Sequence, residues 1–160
     1  MSPEFALITF AVALCLGLAV AIYDLKTMTI PNWLSVGSGV VFLGLMFAAL
    51  PFEDAIYRVI GGVIVLVVCM LLFFAGQVGG GDAKTAPAFA LTVAPVDASF
   101  VLLMLAVFGL LGIGLIALLR RTALANGDWM IWSHPGRFPY GVTLGMTLIV
   151  YTALVAFLLN

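Results

Sequence analysis

Long uncharged apolar runs alternate along the chain with short polar interruptions, and the runs occupy residues 5–23, 34–50, 59–75, 98–119 and 140–159. Each approaches the ~20 residues that an α-helix needs to cross a bilayer. Between the third and fourth lies a shorter piece, 83–96, which at about 1.5 Å per residue falls short of the ~30 Å hydrocarbon core. Taken alone, that piece fits either a short span or a re-entrant loop. Charge placement separates the two. If the piece spans, Lys26, Lys84, Arg120, Arg121 and Arg137 share one side and only Arg58 faces the other, and the positive-inside rule makes the first side cytoplasmic. Glu4, Glu53, Asp54 and Asp97 then fall outside. The pattern predicts an all-α, polytopic membrane protein forming a single domain over 1–160. It has six transmembrane helices, the fourth of them short, and both termini lie outside the cytoplasm.

Composition removes the soluble alternatives, since 65% hydrophobic residues, 8% charged residues and a mean hydropathy of +1.31 exceed what 160 residues could bury in water. The expected environment is the lipid bilayer. A net charge of −1 offers no basic face to nucleic acid. No basic region precedes the first run and no small-residue cleavage site follows it, so that segment reads as a retained span. Cys15 and Cys69 fall inside apolar runs and read as core packing rather than as metal ligands or a disulfide. The glycines within helices (Gly37, Gly61, Gly62, Gly109, Gly112, Gly114 and Gly145) read as points of close helix packing.

Against this background two acids stand out. Asp82 follows Gly79, Gly80 and Gly81, a glycine break that interrupts the spanning pattern, and Asp24 closes the first apolar run. A carboxylate at membrane depth is costly, and an irregular glycine segment is tolerated there only where it lines a wet cavity inside protein. The predicted topology puts both acids on the cytoplasmic side, at the ends of helices. A plainer reading makes Asp82 the N-cap of the fourth helix and Asp24 an interfacial acid, with Pro31 and Asn32 opening the second helix and Asn32 as its cap. Lys26 and Lys84 each follow an aspartate by two residues, a spacing at which helical side chains do not face each other, so they read first as topology signals. His134, the single histidine, reads as a loop residue between Arg120 and Pro139.

Three motifs in this order, Asp24-Leu-Lys-Thr-Met-Thr-Ile-Pro-Asn32, Gly79-Gly-Gly-Asp-Ala-Lys84 and Pro139-Tyr140-Gly141, resemble those of the type IV prepilin peptidases, and the closest branch is the small enzymes of tight-adherence (Flp) pilus systems. The resemblance covers nearly the whole chain. It implies an aspartic endopeptidase of the bacterial inner membrane that cuts the short basic leader from prepilins and pseudopilins at the cytoplasmic face. Asp24 and Asp82 are then the catalytic pair, and Gly79, Gly80, Gly81, Lys84, Pro31, Asn32, Pro139, Tyr140 and Gly141 form the substrate-binding or active-site loops. The insertion that carries cysteine pairs and methyltransferase activity in larger members has no counterpart here.

The chemistry needs two neighbouring carboxylates that share one proton, one drawing a proton from water while the other polarises the scissile carbonyl. No metal or other cofactor is expected. The glycine segment is expected to stay flexible, letting an unwound substrate backbone approach. Rival readings are a small transporter relaying cations or protons through the two acids and a structural subunit of a secretion machine. A presenilin-like protease pairs Tyr-Asp with Gly-x-Gly-Asp, as Tyr23-Asp24 does here, but should carry Pro-Ala-Leu where this chain has Pro139-Tyr140-Gly141. Oligomeric state is not readable from the chain.

Overall fold

The computed structural model describes residues 2–119, 130 and 138–158, and among them it is built from helices and turns alone. The helices are α1 (Pro3–Thr27), α2 (Asn32–Ala49), α3 (Phe52–Phe74), α4 (Gly80–Ala90), α5 (Ala98–Leu119) and α6 (Tyr140–Phe157), and a single 3-10 turn, Pro95–Asp97, leads into α5. All of these except α4 are long and apolar enough to cross a membrane. The exception has 11 residues and covers only about 16 Å. The expected His134 loop and the cations Arg120, Arg121 and Arg137 lie outside the described residues.

Local chemistry sets the helix ends. Ser2 caps α1 by accepting the Phe5 amide, Pro3 and Glu4 occupy its first turn, and Met28 ends it in the left-handed region (φ 51°). Gly76, at φ 72°, takes the same conformation after α3.

The short fourth piece does traverse the bundle. Gly80, at the start of α4, lies against the Phe73 ring at the end of α3. Arg58, fifteen residues earlier in α3 and so about 22 Å away along it, donates from its guanidinium to the Thr92 carbonyl just beyond α4. A re-entrant loop would have returned to the Phe73 end. Among the described cations, Lys84 therefore sits toward one end and Arg58 toward the other, as the charge pattern predicts.

Because α4 stops short, its backbone must find partners inside the bundle. The Thr92 hydroxyl donates to the Phe89 carbonyl at 2.8 Å, the Ala94 amide donates to the Tyr151 hydroxyl at 3.1 Å, and that hydroxyl donates to Asp97 Oδ2 at 2.8 Å. Tyr151 is 2% exposed, so water cannot replace it. Tyr151→Phe orphans the Ala94 N–H and is expected to lower stability by about 1–2 kcal/mol, measurable as an earlier unfolding midpoint in a denaturing-detergent titration.

α1 packs along α6, and α4 packs against α3, α2 and, over a shorter stretch, α6. A Cβ on Gly145 would collide with the Gly17 carbonyl, so the α1–α6 approach depends on both glycines lacking side chains. Ala13, Val20, Ile30, Leu34, Phe42, Ala88, Phe89, Leu144 and Leu148 belong to one buried cluster that joins these helices. Outside it the surface is apolar: Val36, Val40, Ile64, Leu71, Leu102 and Leu110 are all exposed, which fits a solvent of acyl chains.

Two packing expectations need correction. Gly62 and Gly112 do meet close neighbours, but Gly37, Gly61 and Gly114 face open space, and Gly109 makes only ordinary contact. Cys15 is exposed on the lipid-facing surface and Cys69 is half-buried, so neither is a core residue. An apolar helix in lipid gains nothing by burying every thiol or glycine, and composition alone does not mark which face packs.

Candidate active site

Asp24 lies in the last turn of α1, which continues past it to Thr27, rather than closing the helix. Its side chain is 5% exposed, and its Oδ2 accepts the Gly141 amide of α6 at 2.7 Å. That amide is among the first of α6, whose N–H groups have no partner within the helix and whose positive dipole end favours an anion. A Cβ on Gly141 would stand 2.8 Å from Asp24 Oδ2 and 2.9 Å from its Cβ, so only glycine admits the carboxylate here. Pro139, extended and fully buried, is the N-cap that sets this turn. Tyr140 is 45% exposed, its ring edge-on to Phe138 at 5.3 Å. The third motif thus meets the first across 117 residues of sequence through Gly141.

The glycine segment differs from its expected form. Gly79 is the N-cap of α4, and Gly80 and Gly81 are already helical, so Asp82 is the third residue of the helix and neither its N-cap nor the end of a flexible loop. Packing explains three glycines in a row. A side chain on Gly79 would meet Asp82 Oδ2 at 2.9 Å, one on Gly80 the Phe73 ring at 3.2 Å, and one on Gly81 the Ile30 backbone nitrogen at 3.1 Å. Successive positions turn about 100° around the helix axis. The start of α4 is consequently flush with its own aspartate, with the end of α3 and with the turn between α1 and α2.

That turn carries the rest of the first motif. The Thr27 hydroxyl bonds to the Tyr23 carbonyl at 2.8 Å and to the Thr29 carbonyl at 3.0 Å, while Met28 reverses the chain. Buried Ile30 then lies against Gly81. Pro31, not Asn32, is the N-cap of α2. Asn32 is free to do something else: its Oδ1 accepts Lys84 Nζ at 2.9 Å, which ties α2 to α4 within a turn of Asp82. Deeper between the same helices the Ser35 and Thr85 hydroxyls bond at 2.8 Å, and Thr85 donates onward to the Gly81 carbonyl at 2.8 Å. Thr85 has one hydroxyl proton and gives it to Gly81, so Ser35 is the donor of the pair.

Asp24 and Asp82 lie at the same end of the bundle: Ile30, in the turn that follows α1, lies against Gly81 beside Asp82, and α4 packs on α6, whose Gly141 amide holds Asp24. Asp82 Oδ1 is buried and has no hydrogen-bond partner among the described residues. An orphaned buried oxygen costs about 1–3 kcal/mol, a cost that native structures tolerate mainly where the atom has work to do. Aromatic rings surround the same end: Tyr23 lies edge-on to Trp33 at 5.9 Å, and Phe73 lies beside Phe74 at 5.7 Å. Tyr and Trp are the side chains that favour the membrane–water boundary, having an apolar body and a polar handle, and Tyr23 and Trp33 supply both at this end.

Sequence reading took in Thr27, Thr29 and Ile30 only as members of the first motif and gave no role to the Ser35 and Thr85 hydroxyls. The Thr-x-Thr pair before Ile30-Pro31 was the available signal for the pinned turn. Nothing local marks the Ser35–Thr85 pair, which joins residues 50 apart.

A family model described as the type IV leader peptidase family matches residues 11–119. No curated protein matches the chain, and no solved structure does. The matched stretch contains both aspartate motifs and ends before α6.

Proposed function

The chain belongs to the type IV leader peptidase family, and on that premise we propose that it is an aspartic endopeptidase that removes the short basic leader from prepilin-type precursors at the cytoplasmic face of the inner membrane. Asp24 and Asp82 are its catalytic pair. The observation that carries this reading is that two buried acids from different helices stand at one end of an apolar bundle, Asp24 held by a helix N-terminus and Asp82 with an unsatisfied oxygen. The likeness of the three motifs to the small enzymes of Flp pilus systems supports pilins and pseudopilins of that kind as substrates.

One proton serves the pair. Asp24, which accepts the Gly141 N–H, holds the negative charge and takes a proton from water. Asp82, protonated, donates to the carbonyl of the scissile bond, and the resulting hydroxide equivalent attacks that carbon. The tetrahedral diol collapses as the amine leaves with the proton that Asp24 took from water, while the hydroxyl formed from the carbonyl returns its proton to Asp82, which restores the shared-proton state. Lys84 and Asn32 hold α4 against α2 and so keep Asp82 in place. Tyr140, exposed beside the dyad, is positioned to meet the substrate backbone.

The reading is tested by co-expressing the chain with a pilin-type precursor that carries a short basic leader. Cleavage appears as a downward shift in pilin size; an unshifted precursor with well-inserted enzyme overturns the proposal. A shared proton also predicts a two-sided pH profile for kcat, because a doubly protonated pair lacks the base and a doubly ionised pair lacks the acid. A rate that climbs with pH to a plateau, measured where the protein stays folded, is the contrary result.

A further inference from the structure

α3 packs on α4 and α5 packs on α6, and between these two pairs lies an elongated groove of about 510 Å³. Gly61 and Ile64 of α3 form one wall and Leu102 of α5 the other, while Ala86 of α4 and Leu144 and Tyr151 of α6 form its floor. Most of its polar members are already engaged: Arg58 with the Thr92 carbonyl, Tyr151 with Asp97 and Ala94, and Thr147 with the Thr143 carbonyl. Apart from these, from Thr92, whose hydroxyl donates to the Phe89 carbonyl, and from the Tyr57 and Phe89 rings, the wall is aliphatic.

The groove is in line with the carboxylates. On α4, Asp82 precedes Ala86 by four residues, and on α6, Gly141 precedes Leu144 by three, spacings that keep each pair on one helix face. Both floor helices therefore carry the groove surface directly up to the site, α4 through Asp82 itself and α6 through the glycine that holds Asp24.

We propose that this groove receives the transmembrane helix of the substrate and delivers the N-terminal end of that helix to Asp24 and Asp82, a proposal that rests on the leader-peptidase reading above. Three features specify the occupant. Its backbone must be internally hydrogen-bonded, since a predominantly apolar lining cannot satisfy a run of peptide groups, which requires a helix. Its volume fits, because a helix about 10 Å wide, half-embedded along the roughly 12 Å from Tyr57 to Val65 of α3, fills about 470 Å³. Its side chains are uncharged along the groove, while the segment that passes the acids is cationic by charge complementarity with the dyad.

Gly61 tests the assignment, because a side chain there meets nothing in the protein itself and projects into the groove. Gly44 of α2 is equally open and lies away from the groove, and so serves as the control. The assay measures cleavage, in liposomes, of a precursor consisting of a short basic leader and a twenty-residue apolar helix. Gly61→Phe is expected to lower kcat/KM about tenfold, mainly through KM, whereas Gly44→Phe matches the wild type. Equal cleavage by wild type and Gly61→Phe would discard the groove and leave the peptidase reading standing; no cleavage by the wild type would discard both.

A second measurement does not depend on how Gly61→Phe folds. With p-benzoylphenylalanine introduced at Leu102 or at its neighbour Leu103 in the Asp82→Asn chain, the precursor should crosslink at 102, which lines the groove, and not at 103, which is exposed but does not. Crosslinking to lipid alone at 102, or to the precursor equally at both positions, would overturn the proposal.

Discussion

Asp24→Asn and Asp82→Asn are each expected to reduce leader cleavage by about 10²- to 10⁴-fold, the usual contribution of a positioned acid or base. The substitution is nearly isosteric. In the first variant the new carboxamide can still accept the Gly141 N–H through its carbonyl oxygen, and in the second it fills the volume that the carboxyl group left against Gly79, so both should insert and fold as the wild type does. What each loses is the ability to exchange a proton. Because the two acids act as one unit, the double variant should be hardly slower than either single one. Pilin size after co-expression reads the effect, and an unaltered shift in either variant would refute the catalytic assignment.

Gly141→Val should bear on the same chemistry without touching a carboxyl group. Its Cβ would lie 2.8–3.0 Å from Asp24 Oδ2, Cβ and Cγ, too close for any of them to remain in place. Either Asp24 swings away or the start of α6 moves outward. A displacement of about 1 Å at a reacting group can cost about 10²-fold, so kcat should fall by about that factor with KM little changed. Overpacking adds about 1–3 kcal/mol of destabilisation. A detergent unfolding titration run beside the kinetics separates the two losses. A Gly141→Val enzyme with wild-type kcat would show that the contact with Asp24 plays no part in turnover.

Hydropathy and charge carried most of the fold. The five long helices coincide with the apolar runs to within a few residues except at the start of α3. There the apolar count begins at 59, but Glu53, Asp54 and Arg58 are already helical, because charged residues are good company for a helix that emerges from the bilayer. The short fourth span followed from length and from the cation distribution. The local reading failed at the glycines. Three in a row suggest a loop wherever intrinsic propensity decides, but here Ile30, Phe73 and Asp82 crowd the start of α4 from three sides and leave no room for anything larger. Tertiary packing overrode propensity.

The site divides along a similar line. Both aspartates were legible as acids out of place in apolar sequence, and the Pro139-Tyr140-Gly141 step was legible as a motif. The bond from Gly141 to Asp24 was not, nor was the tie from Lys84 to Asn32, since each joins distant segments and leaves no periodicity behind. Residues two apart on one helix do not face each other, which removes Lys84 as a partner of Asp82; its actual partner comes from another helix.

The pairing of α1 with α6 has a bearing on how the protein is made. Among the described helices α1 is the first to be synthesised and α6 the last, so until α6 emerges Asp24 waits in a half-built setting. The Gly17 face of α1 stays open to lipid until Gly145 arrives, and the amide of Gly141 arrives with it. A nascent chain that already holds both aspartates therefore still lacks the amide that fixes Asp24, and on the peptidase reading it becomes competent only when α6 docks.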